Sequence, residues 1–167
     1  DPFGDFLRRT LQDAGVDTTY LFTDPHARTT AVFIAVWDDG RKDLAFYRNP
    51  GADMMITPDE ITPDVLNGAC AFHFGSITFI DEPGASAQWK AVRMARDRGL
   101  MISYDPNYRP TLWPGVERAK EVIQEGYRYC HLAKVSEEEW EVATGCRDLD
   151  AGIAAILDKG VELLVVS

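Results

Sequence analysis

Three side chains able to bind a polar ligand follow one short apolar segment of the chain. Asp105, Asn107 and Arg109 supply a carboxylate, an amide and a guanidinium directly after the apolar run 100–104. Ligands of open α/β sheets bind beyond the carboxyl ends of parallel strands, where such a loop would lie. Two prolines in the same segment disfavour a helix and keep the backbone extended. The alternative interpretation is a polar loop whose acid caps the next helix.

A second polar group lies at a predicted strand-to-helix junction. Lys134 there suits a phosphate, and Glu137 suits a hydrated Mg²⁺, which prefers carboxylates and water. The alternative is a helix N-terminus enriched in acids that complement its dipole, which fits Glu138 and Glu139 best. Ser136 and Glu139 have the spacing of a capping box, which predicts that a helix begins here.

One further position could take part in binding. Arg48 follows Phe46 and Tyr47, a combination that suits a polyol, with aromatic faces against C–H bonds and a guanidinium donating to hydroxyls or phosphate. The alternative is a strand whose aromatics pack in the core. His73 lies within an apolar strand segment and is expected to be buried.

The elements that must position these groups follow an α/β pattern. Residues 29–37 and 44–47 flank a short polar turn and predict a β-hairpin. Strands that then alternate with helices predict a parallel sheet covered by helices. The predicted strands are 71–75, 100–104, 129–135 and 161–167, and the predicted helices are 3–14, 81–99, 116–126 and 152–159. We expect residues 1–28 and 52–167 to form part of an α/β domain, with residues 29–51 as a hairpin lid.

Composition narrows the classes of function. Acidic residues outnumber basic ones 27 to 17, for a formal charge of -10, which argues against nucleic acid or an anionic membrane as partner. No apolar run is long enough to span a bilayer. The three cysteines are odd in number and widely spaced, which favours a reducing cytoplasm. There is no Walker-A, G-x-G-x-x-G, G-x-S-x-G or H-E-x-x-H motif.

Several segments together resemble the ribokinase-like (PfkB) carbohydrate kinases, and among them most closely the fructokinases. They occur in the family's order and cover nearly the whole chain. The matching segments are 1–4, 15–18, 46–53, 72–77, 82–83, 103–109, 112–114 and 134–139. The resemblance implies a doubly wound, mostly parallel α/β sheet with a small β-lid, and transfer of the γ-phosphoryl group of ATP to a sugar hydroxyl with Mg²⁺.

The resemblance also assigns roles to particular residues. Phe33, Phe46 and Arg48 look like lid contacts to the sugar. Asn107 and Arg109 look like part of the family's Asp-x-Asn-x-Arg loop, which lines the sugar and phosphate side. Arg109 would there contact the transferred phosphate and serve as the catalytic residue on this chain.

The junction is similar to the family's Asn-x-x-Glu magnesium motif. Glu137 matches its Glu and would bind Mg²⁺ through water, whereas Lys134 replaces its Asn, a departure that also looks like the fructokinase pattern and suggests a phosphate contact. Ser167 lies where a nucleotide-contacting loop would begin. The family's N-terminal Gly-Gly segment and its Gly-Ala-Gly-Asp loop, which carries the catalytic base, are absent. We therefore expect an internal fragment, inactive and poorly soluble by itself.

The family leaves the substrate open. Phosphorylation of fructose is the first expectation, and a kinase of 2-keto-3-deoxygluconate or another sugar acid is the alternative. An interpretation of another class is a non-catalytic sugar-binding or dimerising module that uses the hairpin of residues 29–47. That hairpin has unpaired edges, so a homodimer through the lid is also expected.

Overall fold

A computed structural model describes residues 1–167. The chain divides into two compact units, Asp1–Ile56 and Thr57–Ser167. The predicted hairpin lies within the first unit. The assignment of residues 1–28 to the α/β domain stays a prediction.

The first unit consists of one helix and one hairpin. Helix α1, Pro2–Asp13, begins at Asp1, whose carboxylate accepts hydrogen bonds from the backbone N–H groups of Phe3 and Gly4. Strands β1, Ala31–Val36, and β2, Lys42–Tyr47, pair antiparallel as the sequence predicts.

The second unit is built on a parallel sheet. Its strands are β3 (Ala71–Phe74), β4 (Met101–Tyr104), β5 (Leu132–Val135) and β6 (Leu163–Val166), and they lie side by side in chain order. The helices between them are α2 (Gly84–Asp97), α3 (Val116–Gly126), α4 (Trp140–Thr144) and α5 (Leu149–Leu157). Short 3-10 turns complete the chain at Ala52–Met54, Pro58–Glu60, Pro63–Leu66, Ile77–Phe79, Pro110–Leu112, Tyr127–Tyr129 and Glu137–Glu139.

The core of this unit lies between one face of the sheet and the helices. Ile102, Tyr104 and Val135 project from the strands into this layer and are fully buried. They pack with Val92 of α2 and Ile123 of α3 in a single cluster. Crossovers between parallel strands are nearly always right-handed, and strands that lie in chain order then carry their connecting helices on one face.

The opposite face of the sheet carries the alternate residues and corrects one expectation. His73 pairs in register with Ser103, and its Nδ1 lies 2.8 Å from the Ser103 hydroxyl oxygen. The prediction of a buried His73 is wrong, because alternation along β3 turns Phe72 and Phe74 towards the core and His73 away from it. No helix of the structure is both long and apolar enough to cross a membrane.

Candidate functional site

The candidate residues of the second unit lie where the strands of the parallel sheet end. The loop 105–109 follows β4. Its first residue, Asp105, donates its backbone N–H to the Phe74 carbonyl at 3.2 Å. The Pro106 carbonyl accepts hydrogen bonds from both the N–H and the hydroxyl of Ser76, at 3.2 and 2.6 Å. The loop is therefore fixed to the end of β3 as well as to its own strand.

An ion pair joins this loop to β5. Lys134 Nζ lies 3.3 Å from Asp105 Oδ2, and the two side chains are partly exposed, at 43% and 26%. The Asp105 Oδ1 atom accepts the backbone N–H of Asn107, which stabilises the turn in which Asn107 adopts a positive φ of 48°. Asn tolerates that conformation better than most residues. The structure thus brings together Asp105, Asn107 and Lys134.

Arg109 ends the loop and is half-buried. Its Nη1 donates to the Tyr108 carbonyl at 3.0 Å, which holds the guanidinium beside the loop backbone. Asn107, by contrast, is exposed. One amide and one guanidinium therefore lie at this edge of the sheet, where the sequence predicts a ligand.

The junction after β5 is connected to the end of β6. Glu137 donates its backbone N–H to the Ser167 carbonyl at 2.9 Å, and Ser167 donates its own N–H to Val135 at 3.1 Å. The exposed Glu137 carboxylate makes no hydrogen bond or ion pair within the chain. An exposed carboxylate of this kind fits a water-mediated Mg²⁺ contact, and no cluster of three or more His, Cys, Asp or Glu side chains forms a direct metal cage.

Glu139 is a residue whose role the sequence only partly indicated. The capping-box spacing predicts its hydrogen bonds to Ser136, which the structure contains at 2.9 and 3.0 Å. The spacing gives no sign that the same carboxylate also accepts the backbone N–H of Tyr108 at 2.6 Å. Burial is the main cause that raises the pKa of Tyr104 and Tyr127, and the charges of nearby groups, Glu139 among them, raise it further.

In the first unit, the register of the hairpin separates the predicted lid contacts. Phe33 lies opposite Ala45, and Phe46 lies opposite Val32, so Phe33 and Phe46 project from opposite faces. Phe33 packs edge-on against Tyr47 at 5.1 Å between ring centroids. The structure therefore does not bring Phe33 and Phe46 together.

Arg48 is held by a partner that sequence reasoning missed. Its Nε lies 2.7 Å from Asp53 Oδ2, and its side chain is only 5% exposed. The other oxygen of Asp53 accepts the hydroxyl of Thr30, the neighbour that precedes β1. A Cβ on Gly51 would overlap Thr30 Oγ1 and lie 2.6 Å from Asp53 Oδ1, so this group requires glycine.

A parallel sheet with polar loops at the carboxyl ends of its strands defines the second unit as an α/β domain of the class that binds small molecules there. The profile of the pfkB family of carbohydrate kinases matches residues 1–167, and the chain belongs to this family.

Named relatives agree with this assignment. The chain is 40% identical to a probable fructokinase-4 of Arabidopsis thaliana and 41% identical to fructokinase-1 of Zea mays, over its full length and 52% of theirs. It therefore spans about half the length of the curated relatives it matches. A crystal structure of fructokinase from Vibrio cholerae O395 with fructose, ADP and calcium ion superimposes with a TM-score of 0.85, at 28% identity, covering 99% of this chain and 53% of that one.

Proposed function

We propose that this chain belongs to an ATP-dependent fructokinase that phosphorylates a hydroxyl of fructose. The observation that carries the proposal is the group of polar loops fixed at the carboxyl edge of a pfkB-family sheet, with Arg109 and the Asp105–Lys134 pair in them. The fructokinase relatives, one of them solved with fructose and ADP, support the choice of substrate and nucleotide.

The proposed sugar contacts are Phe46 and Arg48 of the hairpin and Asn107 of the β4 loop. Asp53 holds Arg48 by its Nε, and this ion pair would keep the guanidinium in one orientation towards a hydroxyl. Phe33 is also proposed as a sugar contact, from the opposite face of the hairpin to Phe46.

The proposed phosphate contacts are Arg109, Lys134 and Ser167, with Glu137 holding Mg²⁺ through water. Phosphoryl transfer is catalysed mainly by positioning and by stabilising the charge of the transferred group. Arg109 would serve the second purpose, and Mg²⁺, when bound, would neutralise charge on the nucleotide phosphates. The exposed, unpaired carboxylate of Glu137 supports this metal role.

Two finer statements belong to the same proposal. A homodimer through the hairpin is supported by its two exposed faces, one with Phe33 and Tyr47 and the other with Ile34.

A cytoplasmic location is supported by the three cysteines, all of which are free thiols.

The alternative substrate is a sugar acid such as 2-keto-3-deoxygluconate. Arg48 and Arg109 could bind a carboxylate in a bidentate manner. The Asp53 carboxylate already occupies the Arg48 Nε, which favours a neutral sugar at that position.

A coupled assay of the full-length protein tests the proposal. ATP-dependent turnover is measured with fructose, with 2-keto-3-deoxygluconate and with each sugar after chelation by EDTA. We expect turnover of fructose that EDTA abolishes and that added Mg²⁺ restores. Turnover of the sugar acid alone would replace fructose as substrate, and no turnover of any sugar would favour a non-catalytic binding module.

A further inference from the structure

The turn that precedes β3 contains an asparagine followed by a glycine. Asn67 has a φ of -66° and a ψ of 128°, and Gly68 has a positive φ of 75°. Ala69 donates its N–H to the Leu66 carbonyl at 3.2 Å, which closes the turn. These features define a type II turn, whose third residue needs a positive φ and is therefore usually glycine. Asn67 and Gly68 are both exposed.

An electrophile and a nucleophile are neighbours in this turn. The side-chain amide carbon of Asn67 and the backbone nitrogen of Gly68 are near enough along the chain to close a five-membered ring. The Gly68 N–H makes no hydrogen bond within the chain. Because residue 68 has no Cβ, no side chain shields its nitrogen, and its backbone tolerates the rotation that ring closure requires.

The Asn67 side chain lies between a cation and an acid. Its Oδ1 accepts a hydrogen bond from Arg98 Nη1 at 3.3 Å, and its Nδ2 donates to Asp64 Oδ1 at 3.0 Å. A guanidinium at an amide oxygen stabilises the negative charge that develops on that oxygen when a nucleophile attacks the carbon. The contacts of Asn67 therefore favour attack at its side-chain amide.

The other two asparagines of the chain, Asn49 and Asn107, lack a free neighbouring N–H. Asn49 precedes Pro50, whose nitrogen carries no hydrogen to lose. Asn107 precedes Tyr108, whose N–H is already donated to a carboxylate at 2.6 Å. The structure thus separates Asn67 from the two asparagines with which it can be compared.

We propose that Asn67 is a site of spontaneous deamidation, with water as the co-reactant. The Gly68 nitrogen attacks Asn67 Cγ and forms a new C–N bond. The bond from Cγ to Nδ2 breaks, and the side-chain amine leaves as ammonia with the proton from Gly68. Water then opens the cyclic imide at either carbonyl, which gives aspartate or isoaspartate.

The product changes the contacts of the turn. The Asn67 amide donates to Asp64, whereas a carboxylate at position 67 has no hydrogen to donate and repels that acid. The same carboxylate gives Arg98 an opposite charge. The isoaspartate form also adds one carbon to the main chain immediately before β3.

The test follows all three asparagines in one sample of the full-length protein. The protein is incubated in warm, mildly alkaline buffer made with water that carries heavy oxygen, and is then digested for tandem mass spectrometry. A protein isoaspartate methyltransferase serves as the probe for isoaspartate. Isoaspartate marks the imide route, because direct hydrolysis of the amide gives aspartate alone.

We expect labelled aspartate and isoaspartate at Asn67 and no conversion at Asn49. Conversion at Asn67 should be roughly 10–100-fold faster than at Asn107, the factor to which a hydrogen bond to a charged acceptor corresponds. Equal rates at Asn67 and Asn107, or conversion at Asn67 without isoaspartate, would overturn the proposal.

Gly68→Ala tests the role of the glycine. Its Cβ would meet no atom within 4 Å, so the substitution shields the nitrogen at the cost of backbone strain alone. Gly15→Ala is the matched control, since Gly15 has a φ of 76° and equally open surroundings. Only Gly68→Ala should slow conversion at Asn67, and an unchanged rate would overturn the proposal. If Gly68→Ala does not fold, the three asparagines of the wild type still decide the outcome.

Discussion

Charge at the candidate site is arranged in neighbouring pairs and single groups rather than as one basic patch. Asp105 pairs with Lys134, whereas the Arg109 guanidinium donates to a neutral carbonyl and forms no ion pair within the chain. In a protein with a formal charge of -10, a guanidinium without a carboxylate partner at the carboxyl edge of the sheet is suited to bind an anion, and we propose it as the contact to the transferred phosphate.

Replacing Arg109 by Ala is expected to lower kcat of the full-length protein by about 10²–10³-fold, with a smaller change in the KM for fructose. The reason is that its interaction would strengthen as charge develops on the transferred group. Steady-state kinetics measure the effect, and Arg93→Ala on the exposed surface of α2 is the control. An unchanged kcat would assign Arg109 a structural role.

Replacing Asp53 by Asn is expected to raise the KM for fructose by about 3–10-fold with little change in kcat, because Arg48 would lose its charged partner but remain on the hairpin. The control is Asp39→Asn, which breaks the exposed ion pair of Asp39 with Arg41 in the hairpin turn. Exposed pairs of that kind contribute little. Equal KM values in the two variants would contradict a role for Arg48 in sugar binding.

At the scale of single elements, close packing limits α3 at its C-terminal end. A Cβ on Gly126 would lie 2.7 Å from two ring atoms of Tyr104, the last residue of β4. Tyr104 is fully buried and stacks on Phe74 at 4.3 Å between ring centroids, so the ring has little room to move. The helix can approach the strand this closely only because residue 126 has no side chain.

Gly126→Ala is therefore expected to destabilise the full-length protein by about 1–3 kcal/mol, as overpacking of a core usually does. Urea denaturation measures the free energy of unfolding. In a Tyr104→Val background, which removes the ring, the same substitution should cost much less. The same cost in both backgrounds would show that the overlap with Tyr104 is not its cause.

The sequence predicted the elements better than it predicted their contacts. Helix α3 has the predicted bounds, 116–126, and β4 differs from its prediction by one residue, because apolar periodicity and glycine stops are local signals. Helix α5 begins at Leu149, three residues before the prediction, since Asp148 caps it through the N–H of Ala151.

Contacts between distant segments were beyond the reach of local patterns. The Asp53–Arg48 ion pair and the Tyr108–Glu139 hydrogen bond depend on how loops pack. No spacing of residues in the sequence predicts either contact. Likewise, alternation decides which face of β3 carries His73, but only the packed helices show which face is buried.

At the scale of the whole molecule, the core contains ionisable groups that are neutral in the folded state. Burial raises the pKa of the Cys130 thiol to about 12. Burial likewise raises the pKa of the phenols of Tyr104 and Tyr127, and their hydroxyls have no hydrogen-bond partner within the protein. The folded state therefore keeps these protons at pH values where an unfolded chain would release them.

The free energy of unfolding is accordingly expected to fall as pH rises from about 8.5, the ordinary pKa of a thiol, towards about 12. Over this range the unfolded chain binds fewer protons than the folded one, so stability contributed by the protonated thiol is present below pH 8.5 and lost above it. Each such proton contributes a slope of up to about 1.4 kcal/mol per pH unit.

Denaturant unfolding at a series of pH values, for the full-length protein and for Cys130→Ala, measures that slope. The variant removes the thiol, so its stability should decline less steeply between about pH 8.5 and 10, before the tyrosines contribute. Cys70→Ala is the control, because Cys70 is exposed. Parallel curves for Cys130→Ala and the wild type would show that the buried thiol does not couple folding to pH.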